Sequence, residues 1–314
     1  DGSAAMVREE FPAVQVIERA TNIGAPAWND GFALARGDYV LILDDDCYLP
    51  PDGLRRAVEA AEEHAADLVS FRVVSTKDPE WVFSDRYRTG LFSFWGCAWL
   101  VRRTVLEELG GYDPEIFMWA NELEFTIRLY DSGHRHLHLP TVIAQHMKAP
   151  EPAEVALDMN AYRVNARHWA YVAGKLLRAR DAAGALLALL ARSVRHGLRA
   201  DARAFTAMPA TIAGFAHGLR HRRAVRGTEL SRLYRRNFET FVSPWRLGRP
   251  PRELARALPR ETVRHLTRGE RPPKASGWPE RFYDERPDLY PGAPALLDFA
   301  ASGAGAARPR RVHG

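Results

Sequence analysis

Three consecutive carboxylates, Asp44, Asp45 and Asp46, stand in LILDDDCYLP (residues 41–50), directly after an apolar run. Adjacent carboxylates repel, so the fold must bring water, a basic side chain or a divalent cation to them. Hard divalent cations take oxygen ligands, and Mg2+ typically sits on one or two protein carboxylates plus substrate phosphates. An Asp-x-Asp spacing in extended chain places Asp44 and Asp46 on one side and turns Asp45 away. The same residues also read as an acidic turn leading into the helix that starts near Pro51. Downstream, Asn121 is a favoured N-cap residue, and Glu122 falls in the first turn, where the helix dipole favours an ionised carboxylate. Acids are enriched in first turns, so Glu122 read alone is an ordinary helix acid. Glu124 faces elsewhere on the helix and is the reserve candidate. His146 ends a strand after VIAQ and is either a structural histidine or a metal ligand. His134, His136 and His138 alternate along one strand face, where an exposed polar face is expected rather than a zinc site.

The elements that must position these groups alternate through the first half. AVQVIE (13–18) reads as a short strand, and YVLILD (39–44) as a strand covered on both faces. Between them Ala27 to Ala35 is helix-compatible, with Arg36-Gly37 as a stop. A helix follows Pro50-Pro51-Asp52, with Leu54, Val58, Ala61 and Ala65 on one stripe. LVSFRVV (68–74) and GCAWLV (96–101) are strand-like, and a short helix then ends at Gly110-Gly111. This rhythm implies a mainly parallel α/β sheet, whose ligands bind beyond the carboxyl ends of the strands. From Pro150 the pattern becomes helical, over about 153–240. From about Pro250 the chain is rich in Pro, Arg and Gly and has little to bury.

Composition narrows the classes. The chain has 314 residues, 46% hydrophobic and 26% charged, which suits a soluble protein with a substantial core. Cys47 and Cys97 lack CxxC spacing, which argues against a disulfide scaffold and fits a reducing compartment. No signal-peptide pattern or bilayer-length apolar run occurs, so a cytoplasmic protein is expected. Residues 191–240 hold eleven arginines against three acids, a local excess of +8 in a chain of net charge +5. That segment calls for an anionic surface. Aromatic residues are not interleaved with these arginines as base stacking would need, so nucleic acid is not the expected partner. No GxxxxGK[ST] occurs, which disfavours a P-loop protein.

The stretch NIGAPAWNDGFALARGDYVLILDDD resembles the family 2 glycosyltransferases, nucleotide-sugar enzymes of the GT-A fold. Their pattern N-x-G…N-x-G…A-x-G-[DE]-Y-[VL]-x-x-L-D-x-D is matched by Asn22, Gly24, Asn29, Gly31, Ala35, Gly37, Asp38, Tyr39, Leu43, Asp44 and Asp46. The two asparagines stand about a residue closer than the pattern has them. The second block, LVRRTVLEELGGYDPEIFMWANELEFTIRLYDSGHRHLHLPTVIAQH, is similar to the rest of the same domain. It carries the Gly110-Gly111-Tyr112-Asp113 turn, the Asn121-Glu122 pair, Arg128 and a terminal His146. The resemblance implies Glu122 as base of an inverting, single-displacement transfer and Asp46 and His146 as ligands of Mg2+ or Mn2+. It places Asp1, Asn22, Asn29, Asp44 and Asp45 on the donor side, with Asp45 a spacer. The opening DGS aligns with the end of the family's second strand, so the chain is expected to be N-terminally incomplete and to turn over weakly.

The expectation is therefore an α/β, GT-A (Rossmann-like, mainly parallel) catalytic domain over 1–150, lacking its first strands. A helical extension covers 151–245, and a partly disordered tail covers 246–314. The expected activity moves a sugar from a nucleotide-diphosphate donor to a hydroxyl of a glycan, lipid-linked or small-molecule acceptor. YRVNARHWAYV (162–172) resembles the Y-x-x-R-N-x-x-W stretch of members with lipid-linked or polysaccharide acceptors. Residues 181–240 either lie on an anionic membrane face, on the inner side of the cytoplasmic membrane, or pack on the catalytic domain. The rival readings are a sugar-nucleotide nucleotidylyltransferase and a catalytically dead membrane-surface binding protein.

Overall fold

The computed structural model describes residues 2–77, 93–147, 159–199 and 201–240. Asp1 and the 246–314 tail lie outside the described residues. One sheet holds β1 (Tyr39–Leu43), β2 (Cys47–Tyr48), β3 (Leu68–Ser75), β4 (Ala98–Arg102) and β5 (His136–His146). Their spatial order is β1-β4-β3-β5-β2. β5 runs parallel to β3, whereas β4 is antiparallel to both β1 and β3, and β2 is antiparallel to β5. The expectation of a mainly parallel sheet is thus corrected among the described residues. β1, β3 and β5 do share one direction, but β4 is inserted against it. An apolar run reports cover on both faces, and that cue is blind to strand direction.

Side chains alternate between two cores. Val69, Phe71, Val73, Ala98 and Leu100 face α3 (Gly53–Glu63). Ile42, Leu68, Trp99 and Val101 face the layer containing α2 (Trp28–Leu34), α4 (Arg103–Leu109) and α5 (Asn121–Asp131). α3 buries Gly53, Ala57 and Ala61, while Leu54 is exposed and Ala65 lies past the helix end. The expected stripe is therefore rotated, because the small residues let the helix approach the sheet closely. AVQVIE forms no strand, and Val14 and Ile17 are exposed. A strand needs a neighbour for its ladder, and none of the described strands borders this segment. Ahead of it α1 (Ser3–Glu10) buries no residue.

The second half is helical as expected, with α6 (Met159–Leu176), α7 (Ala179–Arg199), α8 (Ala207–Arg220) and α9 (Thr228–Thr240). α6 and α8 meet through backbone. A Cβ on Gly214 would overlap the Arg167 carbonyl, and one on Gly218 the Tyr171 carbonyl. Several arginines of the basic segment have partners within the fold. Arg222 donates to the carbonyls of Gly174 and Leu177, Arg226 pairs with Asp131, and Arg203 pairs with Asp201. The Arg192 guanidinium lies 5.4 Å from the Tyr162 ring centre. Among the described residues no helix is long and apolar enough to cross a membrane.

Candidate active site

The three aspartates occupy a turn rather than extended chain, closed by the Cys47 amide donating to the Asp44 carbonyl at 3.0 Å. The Asp44 amide donates to the Cys97 carbonyl, which pins the end of β1 against the entry to β4. Cys47 then pairs with His146 in register, and the Met147 amide donates to the Asp46 carbonyl at 2.8 Å. This short ladder sets His146 beside Asp46, with Nε2 3.1 Å from Oδ1. Asp44, Asp46 and His146 each offer a ligand atom within 4.8 Å of the other two. Convergence therefore comes from the turn and the β2–β5 pairing, not from the period-two alternation expected of the triplet. Asp45 points into solvent. Burial and the neighbouring Asp46 carboxylate push the Asp44 pKa up. A divalent cation would reverse that penalty, and two carboxylates with an imidazole suit one.

Glu122 stands across from this group. α5 starts a residue earlier than expected, because the Glu124 amide already donates to the Ala120 carbonyl. Asn121 is thus the first helical residue and not the cap. Glu122 is pushed up to about 7, first by burial and further by the Asp44 carboxylate. The Asp44 carboxylate is thus near enough to Glu122 to act on its charge. Gly96, just before β4, lies against the Glu122 carboxylate so closely that a Cβ there would overlap Oε1.

The reserve candidate Glu124 is fully buried and engaged elsewhere. It takes three hydrogen bonds of 2.7–2.9 Å from Arg128 and one of 2.7 Å from Lys175 Nζ. Lys175 also reaches Asp113 at 2.5 Å, and the Tyr171 hydroxyl donates to the same carboxylate. Burial works against the Asp113 charge, but the Lys175 ammonium overrides it and holds the pKa down. Sequence reasoning missed Lys175, whose one signal is a lone lysine inside the apolar run YVAGKLL.

The two asparagines expected on the donor side serve the fold. Asn22 accepts the Gly24 amide in a turn. Asn29 clasps Tyr112, donating to its carbonyl and accepting from its amide, each at 2.8 Å. Gly110 and Gly111 both have positive φ, and Arg128 donates to the carbonyls of Leu109 and Gly111. The clasp and the arginine together hold the glycine turn ahead of Glu122. Nor is the His134–His138 stretch an exposed polar face. His136 is buried between Ser70 and Tyr130, and burial drops its pKa to about 3. His134 precedes β5 and pairs with Asp67 and Glu108.

Residues 1–110 match the model of the family described as Glycosyl transferase family 2. About the first third of the chain is thus similar to a family 2 glycosyltransferase domain. The matched residues include Asn22, Asn29 and the aspartate turn, whereas Glu122 and His146 lie beyond the match. A poly(ribitol-phosphate) beta-glucosyltransferase of Bacillus spizizenii is 33% identical over 63 residues, covering 19% of this chain and 10% of that protein. The chain thus matches about a tenth of the length of that curated relative. Among solved structures, Pyrobaculum calidifontis mannosyltransferase PcManGT, in complex with GDP-Man and Mn2+, is 22% identical, with a TM-score of 0.40. That alignment covers 70% of this chain and 74% of PcManGT. S. aureus TarS is 17% identical with a TM-score of 0.47, over 79% of this chain and 48% of TarS.

Proposed function

We propose that this family 2 domain transfers a sugar from a nucleoside-diphosphate donor to an acceptor hydroxyl, with inversion in a single displacement. The observation that carries the reading is the approach of Asp44, Asp46 and His146 to one point, with Glu122 coupled electrostatically to Asp44. Asp46 and His146 would hold Mg2+ or Mn2+, with Asp44 on the donor side. Such an ion, when bound, neutralises charge on the departing diphosphate. Glu122 acts as base: ionised, it accepts the acceptor hydroxyl proton at a carboxylate oxygen while that hydroxyl attacks the anomeric carbon. Its displaced pKa puts the carboxyl near neutrality, where a base is still ionised in part and strong enough to take the proton. The relative's printed acceptor, a poly(ribitol phosphate), makes a polyol-phosphate or glycan chain the acceptor class to try first.

Thermal melting of the chain with each nucleoside diphosphate, with and without Mn2+, tests this. A ligand at about a hundred times its Kd adds about 2.7 kcal/mol, or roughly 4 °C in a protein of this size. The shift should require Mn2+ and vanish in Asp46→Asn and His146→Ala. If no nucleoside diphosphate gives a metal-dependent shift, the reading fails.

Membrane association through 181–240 has one supporting observation. Leu187, Val194 and Leu198 are exposed along one face of α7, at spacings of seven and four residues. The stripe supplies the apolar contact, and exposed arginines of the same segment supply the attraction to an anionic lipid surface. Leu187→Glu with Leu198→Glu should abolish pelleting with phosphatidylglycerol vesicles, and unchanged pelleting would remove the stripe from the proposal.

A further inference from the structure

A second group of ligating side chains lies well outside the aspartate turn. Glu115 belongs to the segment that follows the glycine turn, His217 stands in the last turn of α8, and His221 is the residue that caps its C-terminus. One ligand atom from each lies within 4.8 Å of the others, and Glu115 Oε2 is already 2.7 Å from His217 Nε2. We propose that Glu115, His217 and His221 form a Zn2+-class transition-metal site that joins the helical extension to the segment leading into Glu122.

Four features of the molecule support it. His217 in the last turn and His221 at the C-cap are spaced i, i+4, and their ring centres lie 4.7 Å apart, so one helix end presents two imidazoles together. α8 cannot drift from α6, because Gly214 and Gly218 seat it on the Arg167 and Tyr171 carbonyls. Glu115 is fixed from its own side, its amide donating to Asp113 Oδ1 at 3.0 Å. The Tyr171 ring lies 5.3 Å from that of His217 and 6.1 Å from that of His221, while its hydroxyl is given to Asp113 and does not compete for the ion.

Bonds of about 2.0–2.2 Å in a tetrahedron set ligand atoms about 3.4 Å apart, so rotation of these side chains suffices to close the set. Glu115 and His221 are exposed and His217 half-buried, which leaves the fourth position to water. Two imidazoles with one carboxylate select borderline ions of the zinc class. The aspartate turn, with two carboxylates and one imidazole, leans toward Mg2+ or Mn2+.

Zn2+ titration of the chelator-stripped full chain, followed by calorimetry, tests the site. The expected result is a tight equivalent, with Kd of about 1 μM or below, that is lost in both His221→Ala and Glu115→Gln and kept in Asp46→Asn. Co2+ added instead should give the intense visible bands of a four-coordinate ion in the native chain and in Asp46→Asn, but not in His221→Ala. Metal-free melting temperatures of His221→Ala and the native chain should agree, which separates a lost ligand from a lost fold. Equal tight Zn2+ stoichiometry in His221→Ala overturns the proposal, as does binding weaker than about 1 μM, an adventitious ion only. This outcome is independent of the nucleotide test, which is read at Asp46 and His146.

Discussion

Glu122 is held in a state that disfavours its own charge. Its pKa is raised from 4.5 to about 7, so between those values the folded chain binds more protons than the unfolded chain. Stability from this group is therefore present below about 4.5 and declines as the pH rises through 7. Glu122→Gln should be more stable than the native chain at pH 8 with metal chelated, by up to about 3 kcal/mol, and equal to it at pH 4. Transfer should fall by roughly 10²-fold or more in the same variant. A Glu122→Gln variant that loses activity without gaining alkaline stability would place the carboxylate outside a desolvated cleft. At this scale residue types were readable in the sequence and their surroundings were not. Asp44, Asp46 and His146 stood out by type and position and do converge. Asn29 also stood out, yet its amide went to the Tyr112 backbone, since a donor-acceptor pair facing another one reads the same as one facing a ligand.

At the scale of elements, apolar runs located β1, β3 and β4 because buried strands must exclude polar residues. They did not tell direction, and AVQVIE carried strand-like residues with no neighbour to pair with. The α6–α8 contact was not readable either, since Gly214 and Gly218 in GFAHG look like helix weaknesses until a second backbone is laid against them. Gly218→Ala should be destabilising by about 1–3 kcal/mol through overpacking, although alanine favours helix. A urea melt measures this, and a stabilised variant would mean that the two helices do not touch there. His217 sits one residue away, so the same substitution should weaken the proposed Zn2+ site.

Across the whole molecule, the two halves are joined by charge as well as by apolar packing. Lys175 is the shared partner of Asp113 and Glu124, both buried. Lys175→Met leaves Asp113 without a cation and should cost about 3–5 kcal/mol, read by urea unfolding at pH 7. Adding Asp113→Asn should restore part of that loss. The Asp113 pKa lies below its ordinary 3.8, so its contribution is present at neutral pH and disappears as the pH falls below about 4. The Lys175→Met variant should lack that acid-side decline. A loss under about 1 kcal/mol at pH 7 would show that water reaches the pair.

The change of composition near residue 150 is a change of vocabulary and not an energetic seam. α6 acts as a tethered counter-ion for a layer it does not belong to by sequence pattern. It also ties the carbonyls of Met118 and Trp119, through His168 and Trp169, just ahead of α5. An α/β layer grafted onto a different helical partner would inherit two buried carboxylates and an untethered approach to α5. Exchange of the helical half between such proteins should therefore require that the lysine travels with it.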